Sequence, residues 1–155
     1  MSNLFRKSLI YLIPVILLKV FSCTPESCFE ETEAVVKVSL YDFSLKSSSA
    51  PDSITIYGMN KDDSKIYNRR RNVTVAMFPL NAASDSSVFI VEINGVTDII
   101  IFRHSSFTHL ISKECGYTFY HTISDVIPTY NEIDSISIRK NSITTANEEN
   151  IRIYY

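Results

Sequence analysis

The sequence predicts an all-β fold: an antiparallel β-sandwich of immunoglobulin-like type, with about eight strands, preceded by a cleaved signal peptide. Three observations carry this expectation. Beyond residue 22, Ile, Val, Thr, Tyr and Phe supply 52 residues, against 12 from Leu, Ala and Met. Branched and aromatic side chains of that kind suit pleated, half-buried backbone. In the same region apolar and polar residues alternate in one short run after another, and no stretch keeps a helical apolar period for three turns. Between two such runs sits Asn94-Gly95, the dipeptide that supplies the positive φ angles of a two-residue type I′ turn.

The chain opens with Arg6 and Lys7, followed by an apolar run from Leu9 to Leu18. That run is about half the length a bilayer-spanning helix needs, and it fits the apolar core of a secretory leader. Val20-Phe21-Ser22-Cys23 then has the form of a lipobox, with an aliphatic residue three places before the cysteine and a small one directly before it. Phe21 is bulky for its place and Lys19 interrupts the end of the run. Residues 1–22 are thus expected to be a lipoprotein signal peptide and Cys23 the lipidation site, carrying more than one acyl chain and therefore lasting attachment. An uncleaved buried helix is the competing reading, with Pro14 in its middle and Lys19 unpaired against it.

Cleavage would leave twelve basic residues against seventeen acidic ones. A net acidic domain of this size has one core and is a poor partner for nucleic acid, whose phosphates require a basic footprint. Residues 23–33, with Glu26, Glu30, Glu31 and Glu33, form an acidic tether, most simply a hydrated, self-repelling linker. Residues 34–155 are expected to form the sandwich.

Within that domain, alternation marks strands at Val36, Val38 and Leu40; at Ile54 and Ile56; and at Val73, Val75 and Met77. It resumes at Phe89, Val91 and Ile93, at Ile136 and Ile138, and at Ile151, Ile153 and Tyr155. The turn at Asn94-Gly95 makes Val88 to Phe102 a hairpin. Ser47–Pro51, Met59–Ser64, Leu80–Ser87 and Asn141–Asn150 have the turn chemistry of connections. An eight-stranded outer-membrane barrel also fits the alternation, but sits badly with a lipidated cysteine and a crosslinked thiol pair.

Two further cysteines, Cys28 and Cys115, remain. In an exported chain an even pair reads first as a disulfide, closing a loop of about ninety residues and contributing about 4 kcal/mol. The alternatives are two inert thiols, or a reactive Cys115 with His121 as its base. Six residues of separation along one strand set that last pair about 20 Å apart.

His104, His109 and His121 lack the close spacing of a metal-ligand set and read as scattered surface or half-buried side chains. Arg69-Arg70-Arg71, with Lys61 and Lys65, is the single basic patch: either a grip for an anionic polymer or a charged strand edge that discourages pairing. Asn72-Val73-Thr74 fits the N-glycosylation pattern, a modification that a bacterial lipoprotein leader argues against. With three glycines in the chain, no phosphate-cradling loop is available, and the hydrolase and metalloprotease motifs are missing. No catalytic residue, cofactor or metal ligand is assigned.

Cys115, Tyr120-His121-Thr122-Ile123, Ile133 to Ile138 and the closing Glu149-Asn150-Ile151-Arg152-Ile153-Tyr154 resemble a family of small Bacteroidota lipoproteins of unknown function. Cys23, Cys28 and Phe78-Pro79-Leu80 take part in the resemblance. It implies a paired-cysteine β domain held at the outer membrane, and strengthens the Cys28–Cys115 bridge. In that phylum an acidic stretch behind the lipid site also serves as a surface-export tag, and Asp52-Ser53-Ile54 and Asp134-Ser135-Ile136 have the form of O-glycan acceptor sites. The function expected is that of a non-catalytic structural or interaction domain. A module binding a glycan or anionic ligand through Tyr117, Tyr120, Tyr130, Tyr154 and Tyr155 is the alternative. The partners expected are the membrane, through Cys23, and then another envelope protein or a glycan.

Overall fold

The computed structural model describes residues 28–155, and every regular element among them is a strand. In chain order these are β1 (Val35–Tyr41), β2 (Ile54–Gly58), β3 (Tyr67–Arg70), β4 (Val75–Pro79) and β5 (Ser86–Ile93). They continue with β6 (Val96–Ser112), β7 (Gly116–Pro128), β8 (Ser135–Ile138), β9 (Ser142–Ile143) and β10 (Ile151–Tyr154). Two sheets result, one ordered β4-β1-β10-β8 and the other β3-β2-β5-β6-β7-β9.

The all-β, two-sheet expectation therefore holds, with three differences. There are ten strands rather than about eight; β3 (Tyr-Asn-Arg-Arg) carries no alternation and β9 has two residues, so neither leaves a periodic signal. One pair, β1 with β10, is parallel within an otherwise antiparallel fold. The four-on-six strand order also differs from the seven-strand order of an immunoglobulin constant domain. Among the described residues both sheets are open, ending at β4, β8, β3 and β9, which is not the closed circuit of a barrel.

The two sheets share one apolar core. Val36, Val38 and Leu40 of β1 and Ile151 and Ile153 of β10 meet Ile54, Ile56, Val91, Ile93 and Ile100 of the larger sheet, all buried. Phe78 reaches from β4 to Phe89 and Phe102 on the opposite sheet, with ring centroids 5.1 and 5.3 Å away. These tilted and edge-on contacts add to the area that the rings bury. In β4 the inward residues are Ala76 and Phe78, whereas Val75 and Met77 are exposed. The expected phase was one residue off, because the largest side chain in the strand, Phe78, takes the core.

Asn94 and Gly95 have φ of 52° and 89°, and Ile93 pairs with Val96, so the type I′ hairpin forms as expected. The Asn94 side chain also accepts the Asp52 amide at 2.9 Å, fixing the segment that leads from β1 into β2.

Asp98 is 1% exposed. Its Oδ1 accepts from Thr129 Oγ1 at 2.6 Å and the Asn131 amide at 2.7 Å; its Oδ2 accepts from the Glu132 and Ile133 amides at 2.8 and 3.0 Å. Burial raises the pKa of this carboxyl, but the four hydrogen bonds outweigh burial and hold it below the ordinary aspartate value. The carboxylate shapes the turn that carries the chain from β7 to β8 in the other sheet. Asp98→Asn keeps the volume but turns a donor toward amide donors. Denaturant unfolding should show a loss of about 3 kcal/mol. The stability that the lowered pKa contributes is present above the ordinary aspartate value and lost as pH falls through the folded one. That part of the acid destabilisation should be absent from the variant.

Candidate functional site

Strand β5 pairs with β6 as far as Arg103, and β9 covers β7 at His121 and Thr122. Beyond these points β6 and β7 continue as a two-stranded arm from Phe107 to Ser112 and from Gly116 to Tyr120, paired among the described residues only with each other. The arm begins at a bulge: Arg103 faces Asp125 while His104 faces Ile123. Ser124, left over, donates its hydroxyl to the Arg103 carbonyl at 3.2 Å. Such a bulge bends its strand and strengthens the local twist. The arm closes through a turn at Lys113–Cys115, after which Gly116 takes a φ of 73°, a conformation that glycine adopts at little cost.

Cys115 lies in that turn and is bonded to Cys28, with Cα atoms 4.8 Å apart. Thr118 Oγ1 donates to the Thr32 carbonyl at 2.6 Å, so the segment preceding β1 is fastened to the arm at two points. The Cys28–Cys115 expectation is met, and the bonded Cys115 offers no thiol for the alternative pairing with His121. Cys23 lies outside the described residues.

Side chains alternate along the arm. Leu110, Tyr117 and Phe119 share one face and are 47%, 71% and 48% exposed. Phe107, His109 and Tyr120 share the other, where His109 stacks on Tyr120 with ring centroids 4.2 Å apart and nearly parallel planes.

At the base of the arm, the register of β6 and β7 brings His104 and His121 together with ring centroids 5.4 Å apart. Sequence spacing does not show this, because it depends on how far the hairpin continues past Phe102. Both rings are buried, where surface or half-buried positions were expected, while His109 is exposed. The Ser106 hydroxyl lies 2.8 Å from His121 Nδ1 and 3.4 Å from His104 Nδ1, and Ser87 Oγ lies 3.0 Å from His104 Nε2. Burial lowers both histidine pKa values; the Asp85 charge partly offsets this at His104, and His104 lowers His121 further. The serine–histidine contact has the shape of an activated nucleophile, but no carboxylate hydrogen-bonds to either ring among the described residues. The cluster forms a hydrogen-bonded polar layer at the root of the arm. Among the described residues no group of three or more His, Cys, Asp and Glu side chains is arranged to hold a metal.

The remaining candidates do not converge. Arg69 and Arg70 lie on β3, an outer strand of the larger sheet, beside a shallow depression of about 490 Å³ that Tyr67 and Arg71 also line. β3 is thus a charged edge strand, one of the two readings that the sequence offered for this patch. Ser53 and Ser135 are half-buried at the entrances to β2 and β8. Of the tyrosines considered for stacking, Tyr117 and Tyr130 are well exposed, and they sit at opposite ends of β7. They form no common platform.

Fold and site together define a small, disulfide-linked, two-sheet β domain with a projecting arm. The chain belongs to a family of unknown function, DUF6452, whose model matches residues 53–155. The match includes Cys115, the His121 strand and the closing Asn-Ile-Arg-Ile-Tyr motif, while Cys23 and Cys28 precede it. No curated protein and no solved structure matches the chain.

Two outcomes are expected from this geometry. Cys115→Ser should lower stability by about 4 kcal/mol in denaturant unfolding, and a non-reduced digest of the native protein should yield the Cys28 and Cys115 peptides as one linked species. Recovery of both peptides freely alkylated would contradict the bond. For the histidines, a lowered folded pKa means that their contribution is full above the ordinary imidazole value and falls away as pH drops from there toward the folded values. Thermal midpoints measured from neutral pH down to about pH 5 should therefore fall more steeply for the native chain than for a His104→Gln, His121→Gln variant.

Proposed function

We propose that this chain is a lipid-anchored outer-membrane lipoprotein of Bacteroidota type, whose β domain serves as a non-catalytic structural or interaction module. One observation carries the reading: the disulfide at Cys28 ties the fold to a point five residues from the lipobox cysteine, Cys23. A bond of this kind persists in oxidising compartments outside the cytosol, in agreement with a basic and apolar leader ending in Val-Phe-Ser-Cys. The interaction role rests on the open edges of both sheets and on the exposed arm. A sheet edge binds a partner's strand through backbone hydrogen bonds. The glycan-binding alternative draws less support, because its exposed tyrosines lie at opposite ends of β7.

Metabolic labelling with a fatty acid tests the anchor. Label should enter the native chain and be lost in Cys23→Ser; a variant that is still labelled would remove the assignment.

A further inference from the structure

The strongest unassigned feature is the aromatic arm, and its inference rests on the lipid-anchor reading just given. Five residue steps separate Cys23 from Cys28, a span of at most about 18 Å when fully extended. Cys28 is bonded to Cys115, so the short leash runs from the lipid to the tip of the arm and not to the start of β1. The tip is then the part of the domain nearest the bilayer, and the turn around Tyr130, at the other end of β7, is among the farthest.

We infer that the β6–β7 arm is a foot that sets its exposed aromatic face into the headgroup region of the membrane. Leu110, Tyr117 and Phe119 present one uncovered face, and Phe29, next to the bonded Cys28, is 92% exposed. Tyrosine rings, apolar in body and polar at the tip, settle at the membrane–water boundary. The opposite face is partly engaged, through the His109–Tyr120 stack and the Thr118–Thr32 hydrogen bond, and leaves Phe107 51% exposed. Glu30, Glu31 and Glu33 are exposed beside it, which disfavours an anionic surface and fits a zwitterionic one. Shallow aromatic insertion at a site already fixed by acyl chains needs little affinity of its own, since the anchor supplies a high local concentration.

The chain contains no tryptophan, so a single introduced indole reports its own surroundings. Phe119→Trp and, as a reference, Tyr130→Trp are made in the full-length lipidated chain and reconstituted into phosphatidylcholine–phosphatidylethanolamine vesicles. Part of the phosphatidylcholine is brominated near the headgroup end of its acyl chains. Flotation reports the anchor and quenching reports the foot. The expected result is flotation of both variants, with Phe119→Trp emission shifted to shorter wavelength and quenched roughly twofold, and Tyr130→Trp unaffected. Adding Cys28→Ser and Cys115→Ser should preserve flotation and relieve the quenching. Flotation without quenching of Phe119→Trp overturns the foot and leaves the anchor standing. Failure to float removes both. Emission that varies with protein concentration and not with bromine means that a second copy covers the arm, which also overturns the inference.

Discussion

The parallel pairing of β1 with β10 is the constraint on which the rest of the fold depends. β1 lies between β4 and β10, and its register with β10 runs from Val38 opposite Ile151 to Tyr41 opposite Tyr154. Without this junction the smaller sheet would separate into two two-stranded pieces, neither of which is stable alone. The inner face of the larger sheet, from Ile54 to Phe102, would then lose its cover. The junction is reinforced at its start and on its outer face. Asn150 accepts the Lys37 amide through its side chain at 2.9 Å and returns its own amide to the Lys37 carbonyl at 3.0 Å. On the outer face Arg152 makes a forked pair with Glu149 and lies 4.6 Å from the Tyr41 ring centroid.

The chain passes repeatedly between the two sheets, and polar side chains recur at those crossings, exposed at Asn94 and buried at Ser87, Asp98 and Asn150. The Asn94 side chain holds the passage from β1 to β2, Asp98 the passage from β7 to β8, and Asn150 the entry to β10. Between β4 and β5, Ser87 Oγ accepts the Asn81 amide at 2.9 Å and contacts His104. Each is satisfied, as buried polar groups must be if they are to hold a structure and not weaken it. The crossings thus owe their shape to side chains contributed from elsewhere in the sequence.

That division explains what could and could not be read in advance. The strands around Val36, Ile54, Phe89 and Ile151 follow from alternation, because each buries one face against the same core. Asn94-Gly95 follows from backbone sterics, and the cysteine pair from its number and context. By contrast Asp98, four residues past Asn94, resembles any surface charge near a turn until the partner loop at 129–133 is placed over it. The arm was missed beyond Phe102 because Ser105, Ser106, Thr108 and His109 interrupt the apolar alternation along this part of β6. The meeting of His104 and His121 was missed for the same reason. The phase of β4 was misread because Val73, Val75 and Met77 alternate as convincingly as Ala76 and Phe78, and only packing against Phe89 and Phe102 decides between them.

The β1–β10 pair also imposes an order of events. Lys37 and Asn150 stand 113 positions apart, so the smaller sheet cannot assemble until nearly the whole chain is available. Contacts of such separation make folding slow. A chain emerging from its amino end would hold the strand from Val35 to Tyr41 waiting, its apolar face open, until the last residues arrive. Through that interval the early cysteine at position 28 would also be waiting for position 115, 87 residues later. Under the proposed lipidation, acylation of Cys23 would take the third cysteine out of contention and leave a single pairing open. Oxidation would then have no wrong choice to correct when the final strand docks.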